Sequence, residues 1–351
     1  MKIGLAYDLK DAIISTSHSP KDALEEYDSP ETVEALTSAI ESLGHSVTRL
    51  GGGKEFISKI LEENIDFVFN ISEGLGNYRS REAQVPAVLE MLGIPYSGSD
   101  PQCLAVCLDK PLTKTLVSSV GIRTPRWYVV KDKSQLKDIS STDLPLPAFI
   151  KPAYEGSSKG IRLGSKVETT TQAGELVSEL LARYHQPVMI EEFIGGDEVT
   201  VGVLGNNPSA VLGIMRVLPK QKNAHFIYSL EIKRDWEQLV DYECPARLAT
   251  ATSEEIADLS LKVFHRLGCR DFARLDFKLD AKGVPYFLEA NPLAGLNPKS
   301  SDLPIMSYKL GWTYPALIAA ILNTALQRYP HCVRRWPLSI THQVRNSTVH
   351  L

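Results

Sequence analysis

The sequence predicts an α/β protein made of three successive units, and three observations carry that expectation. Strand and helix signals alternate over the first hundred residues, composition shifts near residue 100, and apolar runs of antiparallel character dominate from residue 193 onward. The expected boundaries are 1–102 for a parallel-sheet unit, 103–192 for a small α+β unit and 193–330 for an antiparallel-sheet unit, with an irregular, slightly basic tail over 331–351. A chain of 351 residues is long for one core and suits two or three.

In the first unit "KIGLAY" reads as a strand and "SPETVEALTSAIESLG" as a helix, with Ser29 as its N-cap and Pro30 at its first position. Val33, Leu36, Ala39, Ile40 and Leu43 form that helix's apolar stripe, and Gly44 ends it. "SVTRL", "DFVFNIS" and "IPYSGS" read as strands, separated by helices over "KEFISKILEEN" and "EAQVPAVLEMLG". A parallel sheet built this way works at the carboxyl ends of its strands, which would carry Tyr7, Asp8, Ser72 and Glu73. Residues 103–121 read as one helix, and "PRWYVV", "PAFIKPA" and "GIRLG" as short strands around the turn "YEGSSKG". A helix over "TTQAGELVSELLARY" and a strand "PVMIEEF" complete the second unit. The third begins with strands "EVTVGVLG" and "AVLGIMRV" and a polar loop over 219–243. A helix over 254–267, strands "DFARLDFKLD" and "VPYFLEAN" joined by "AKG", and a last helix near 308–328 follow.

Composition excludes several function classes. An apolar share of 43% with 23% charged residues is that of a globular chain. A net charge of −4 and a pI near 6.1 give no electrostatic case for nucleic acid as partner. No run approaches the roughly 18–20 apolar residues of a membrane span. "MKIGLAYDL" is too brief an apolar run for a signal peptide, so a cytoplasmic location is expected. Five cysteines are scattered; Cys103 and Cys107 lie four apart, but no second pair completes a zinc site, and buried reduced thiols are expected.

Three stretches carry chemistry. In "ARLDFKLD", Arg274 and Asp276 share one strand face, and in "YFLEANP" Glu289 and Asn291 do the same. If the two strands pair, Asp276, Glu289 and Asn291 offer a hard oxygen platform for magnesium beside a guanidinium; alone, the pattern also fits a solvated sheet face. "FIKPAYEGSSKGI" delivers Lys151 into a turn with Gly156, Ser157, Ser158 and Gly160, next to Glu155 as a further nucleotide-side residue; its small residues free backbone amides for phosphate oxygens, although an ordinary hairpin turn reads the same way. "VMIEEFIGGDEV" sets Glu191, Phe193 and Ile194 beside a diglycine, a surface that suits an adenine ring, with Glu198 as a ribose acceptor, although a common hairpin with an acidic turn reads the same way.

The order of these pieces, with "LDKPLTK", "YSLEIK" and "LEANPLAGLNPKSSDLP", resembles the D-alanine–D-alanine ligase family of the ATP-grasp superfamily across residues 90–310. That resemblance implies a three-domain ATP-grasp fold: a Rossmann-like N-terminal domain, a central lid and a C-terminal antiparallel-sheet domain. It implies an ATP-dependent ligase that forms an amide through an acylphosphate, using two magnesium ions (or manganese) and small amino-acid substrates, in a family often dimeric through its N-terminal domain. Lys110 and Lys151 then resemble phosphate lysines, and Lys233 the mobile-loop lysine on the γ-phosphate. Arg274 and the backbone of Gly295 resemble oxyanion donors, Ser157 a substrate-side serine, and Ser300 or Ser301 the binder of the acceptor carboxylate.

Two departures leave the substrate open. The family's Gly-Gly-x-Ser-x-Glu run after the first strand is absent; Glu73 is the expected substitute for its ammonium-binding glutamate, with Asp28 and Glu31 behind it and turn capping as the plain alternative. Arg234 follows Lys233 where the family carries tyrosine, so this fixed cation either clamps a substrate carboxylate or faces solvent. The second substrate is therefore D-alanine, another amino acid, a hydroxy acid or a larger amine. Phosphotransferase and non-catalytic nucleotide-binding readings stand behind the ligase one.

Overall fold

The computed structural model describes residues 1–13, 19–141, 143, 145–221 and 226–333. In chain order the first unit holds β1 (Lys2–Ala6), α1 (Pro30–Ser42), β2 (Ser46–Gly51), α2 (Gly53–Glu62), β3 (Phe67–Asn70) and α3 (Gln84–Leu92). Next come α4 (Pro101–Leu108), α5 (Lys110–Ser118), β4 (Trp127–Val130), β5 (Ala148–Pro152), β6 (Lys166–Val167), α6 (Thr170–Tyr184) and β7 (Val188–Glu192). The remainder runs β8 (Glu198–Gly205), β9 (Ser209–Pro219), α7 (Leu230–Arg234), α8 (Trp236–Leu239), β10 (Val240–Glu243), α9 (Thr250–Leu267), β11 (Phe272–Leu279), β12 (Pro285–Asn291), α10 (Asp302–Lys309) and α11 (Tyr314–Gln327).

Three sheets result, as the sequence predicts: a parallel β2-β1-β3 sheet, an antiparallel β4-β7-β5-β6 sheet and a larger antiparallel β10-β9-β8-β11-β12 sheet. α1 starts as expected, with Ser29 Oγ accepting from the Thr32 N–H at 3.3 Å and Pro30 in the first turn. Its buried Val33, Leu36 and Ile40 pack in one core with Ile3 and Phe69 of the first sheet and with Leu317, Ile318 and Ile321 of α11. α11 thus covers the first unit from the far side of the sequence. α6 covers the central sheet through Val177 and Leu180, and α9 covers the large sheet through Ile256, Val263 and Phe264. Each such side chain contributes roughly 1.5–3 kcal/mol by leaving water.

Several expectations need correction. Residues 103–121 form two helices, not one, because Pro111 has no N–H and its ring would strike the carbonyl four residues back. The break falls at Asp109, whose carboxylate accepts from the Leu112 N–H at 3.1 Å and caps α5. "GIRLG" is not a strand: Gly160 sits at φ +75° and Ser165 Oγ accepts from the Arg162 N–H at 2.9 Å, closing a tight turn before the short β6. "IPYSGS" contributes only a bridge between Val68 and Tyr96. The last helix is two, α10 and α11, parted at Gly311 with φ +82°. The polar loop over 219–243 contains α7 and α8; its residues 222–225 and the tail residues 334–351 lie outside the described residues. Cys269 joins Cys103 and Cys107 in the interior, a convergence that spacing could not reveal. Among the described residues no helix is long and apolar enough to cross a membrane.

Candidate active site

The hairpin that the site requires is present. β11 and β12 pair so that Asp276 faces Glu289 and Arg274 faces Asn291. Two carboxylates, an amide and a guanidinium therefore converge at one sheet end. Thr200 Oγ1 on β8 donates to Asp276 Oδ1 at 3.0 Å, and Asn291 Nδ2 donates to Asp276 Oδ2 at 3.0 Å. Arg274 donates to Asp276 Oδ2 at 2.9 Å and lies 3.0 Å from Asp302 and 3.9 Å from Glu289. Burial pushes the Asp276 carboxyl up to about 6, with Arg274 opposing and Glu289 adding to the rise. Burial would raise Glu289 too, but Lys110, Lys151 and Arg274 pull it down to about 2.

The lysines arrive from two elements. Lys110 opens α5, donates to the Glu155 carbonyl and places Nζ 3.3 Å from Glu289. Lys151 stands on β5 with Nζ 2.6 Å from Glu191, whose other oxygen lies 3.0 Å from Lys114. The Glu191 side chain is thus the counter-ion of two buried lysines, and the residue lines the smaller cavity with Phe193 and Ile194. Burial lowers Lys114 to about 8 despite that partner. Glu198 accepts from Lys278 at 3.2 Å. Phe193 stacks near Phe149, ring centroids 6.5 Å apart, and its N–H donates to the Pro147 carbonyl at 3.1 Å.

Ser157 and Ser158 both sit in the left-handed region, at φ +49° and +58°, a conformation uncommon for residues with a Cβ and frequent where backbone grips a ligand. Glu155 lines the smaller cavity, and Arg81 at 3.2 Å, Gln186 at 2.6 Å and Lys159 hold its carboxylate in a buried cluster. α7 places Lys233 against Arg274, and burial, then the Arg274 charge, lowers its pKa.

Two adjoining cavities, of about 410 and about 120 Å³, share a wall of Lys110, Gly156, Ser157, Lys233, Arg274 and Asp302. The smaller is lined by Lys151, Glu155, Ser158, Glu191, Phe193, Ile194, Glu198, Asp276 and Glu289. The larger holds Glu73, Arg234, Asn291, Gly295, Ser300 and Ser301. The structure thus gathers every expected site residue around one pair of spaces. At Gly295 a Cβ would stand 2.8 Å from Ser301 Oγ, which already accepts from the Asn297 N–H at 3.0 Å; Ser300 is the more exposed serine. Arg234 reaches the rim but pairs with Glu25.

The carboxyl edge of the first sheet shapes the opposite wall. Asp8 accepts from Ser72 Oγ and from the Gly74 N–H, fixing the turn that presents Glu73. Gly74 lies at φ +78°, where a Cβ would stand 2.0 Å from the Arg81 carbonyl oxygen. Asp28 and Glu82 line the same cavity, whereas Glu31 is exposed near Lys299. Among the described residues none of Asp28, Glu73 and Glu82 has an ion-pair partner. Burial pushes Asp28 up to about 8, Glu82 to about 7 and Glu73 well above the carboxylate range. Sequence reasoning missed Lys114, Lys278, Glu82 and Asp302. Asp302 stands in the quoted run "LNPKSSDLP", but nothing in the sequence tied it to Arg274.

The two antiparallel sheets clasping a lysine-lined cavity define the ATP-grasp class. Residues 116–323 match the family model described as the D-ala D-ala ligase C-terminus. The D-alanine–D-alanine ligase of Aquifex aeolicus is 33% identical over 299 residues, 84% of this chain and 94% of that protein. The uncharacterized protein y4sG of Sinorhizobium fredii is 31% identical over 305 residues, 84% of this chain and 88% of its own. The crystal structure of the Bacillus anthracis D-alanine–D-alanine ligase complexed with ATP superimposes with a TM-score of 0.69 at 23% identity, covering 94% of this chain and 99% of that one. The chain belongs to the D-alanine–D-alanine ligase family. It is an ATP-dependent ligase.

Proposed function

We propose that the protein activates the carboxylate of one amino acid as an acylphosphate and joins it to the amine of a second, with ADP and phosphate as the other products. The observation that carries this reading is the shared wall, where phosphate-type lysines on one side adjoin a guanidinium and an acidic cavity on the other. The smaller cavity takes ATP, as a related ligase does by its description. A carboxylate oxygen leaves poorly, so the acid must first receive the γ-phosphoryl group. Lys110, Lys151 and Lys233 offset the charge on the phosphoryl oxygens, and the Ser157–Ser158 turn offers backbone donors to them.

The donor set fits magnesium: Asp276, Glu289 and Asn291 are hard oxygen ligands on paired strands. Magnesium bound there would neutralise developing charge between the phosphates. Arg274 and the Gly295 N–H border the space where the tetrahedral oxyanion would form. The unpaired Glu73, with Asp28 and Glu82, receives the ammonium of the first substrate. Arg234, steadied by Glu25, guards the acceptor end, with Ser300 or Ser301 at its carboxylate.

A matrix of D- and L-amino acids, hydroxy acids and amines, scored for ADP release and coupled product, tests the reading. Hydroxylamine should trap the activated acid as a hydroxamate. ADP release with a stable phosphorylated product and no hydroxamate would make the protein a phosphotransferase instead.

A further inference from the structure

Cys103 and Cys107 stand one helical turn apart on α4, and Cys269 enters from the turn between α9 and β11. Their sulfurs lie 3.9 Å apart for Cys103–Cys107 and 3.7 Å for Cys103–Cys269, and all three fall within 4.8 Å of one another. Metal–sulfur bonds of about 2.3 Å, in tetrahedral or trigonal geometry, put ligand sulfurs about 3.7–4.0 Å apart. A disulfide would need about 2.05 Å, far shorter than any pair here. The three thiols are buried, at 2%, 3% and 7% exposure, in an apolar cluster with Val117, Phe264 and Leu267. Cys107 also lines the larger cavity, which gives an ion a way in and leaves room for a water as a further ligand.

We propose that Cys103, Cys107 and Cys269 form a binding site for one soft, thiophilic cation, Zn²⁺ or Cu⁺. Sulfur donors select such ions over the hard magnesium that suits the oxygen platform. Three S–H bonds give way to three metal–sulfur bonds, the protons leave to solvent, and no electron is transferred. Cys107 lies three residues before Lys110, so the ion stiffens the α4–α5 joint from which Lys110 reaches Glu289. Occupancy therefore lowers ligase turnover; this consequence rests on the ligase reading, whereas binding itself does not.

The full-length protein is titrated anaerobically with Zn²⁺ and, separately, Cu⁺ against competing chelators, with Mg²⁺ as the hard-ion control. One equivalent of at least one soft ion should bind, with affinity lowered at least about 100-fold in Cys269→Ser. X-ray absorption on the wild-type complex should report three sulfurs at about 2.3 Å. Cys269→Ser should keep metal-free turnover and resist inhibition by the ion. No binding of either ion, binding unchanged in Cys269→Ser, or fewer than three sulfurs overturns the site. If Cys269→Ser does not fold, the sulfur count on the wild type decides. Binding with three sulfurs but undiminished turnover would overturn the inhibitory role alone.

Discussion

Arg274 is gripped from Asp276, Asp302 and Glu289, which leaves its guanidinium fixed at the junction of the two cavities. Removing one oxyanion donor typically costs about 10²–10³ in rate, so Arg274→Ala should lose that much turnover while ATP still binds, as read by steady-state kinetics beside nucleotide titration. Unchanged turnover would take Arg274 out of the chemistry. Glu191 neutralises two buried lysines at once. Glu191→Gln should therefore cost about 3–5 kcal/mol in denaturant unfolding and weaken nucleotide binding, because both cations lose their partner. The acidic wall makes a pH prediction. Asp28, Glu73 and Glu82 hold protons that a free carboxylate would have lost, and Asp28 and Glu82 release theirs as pH rises toward 8. The KM of the ammonium-bearing substrate should fall from pH 6 to pH 8. Their contribution to stability has the opposite sign: at Asp28 and Glu82 the fold keeps a proton that the unfolded chain loses above about pH 4, so these two carboxyls destabilise the ligand-free protein as pH rises to 8. Asp28→Asn should raise its melting temperature at pH 8.

At the level of elements, α7 shows what the sequence pattern could not convey. "YSLEIKRDW" is polar and short, and its apolar residues are too few to predict a helix. Contact supplies the missing support: Leu230 is buried and its N–H donates to the Ile161 carbonyl at 3.2 Å, tying α7 to the Gly/Ser turn. A five-residue helix gains little by itself, so its stability comes from docking. Lys233→Met should lower kcat sharply with little change in melting temperature. ATP should protect residues 226–243 from limited proteolysis, and equal cleavage with and without nucleotide would argue against closure of this segment. The faces of β11 and β12, by contrast, were legible from the start, because period-two geometry fixes which side chains share a face whatever surrounds them, and the fold then pairs the two strands.

Across the whole molecule, a buried ion cluster joins the first unit to the central one. Arg81 donates to Glu26 at 2.7 Å and lies 3.2 Å from Glu155, while Lys159 pairs with both carboxylates and Asp22 accepts from Arg162 at 2.9 Å and Tyr184 at 2.8 Å. Breaking a buried pair by deleting one partner typically costs about 3–5 kcal/mol, so Arg81→Met should loosen the two units and raise protease sensitivity around residues 154–165. A variant as resistant as the wild type would show that the cluster does not hold the units together.

The sequence by itself determined the α/β class, the order of its sheets and which of Arg274, Asp276, Glu289 and Asn291 share a strand face, because local periodicity and motif order act over short stretches; the pairing of the two strands came from the fold. Only the tertiary structure decided that Glu191 serves two lysines, that Asp302 braces Arg274, that Asp28 and Glu82 join Glu73, and that Cys269 meets Cys103 and Cys107. Most of those pairings join residues dozens of positions apart, and Cys269 stands 166 positions from Cys103. Burial selects such partners, since a charge or thiol removed from water takes whatever neighbour the packing supplies.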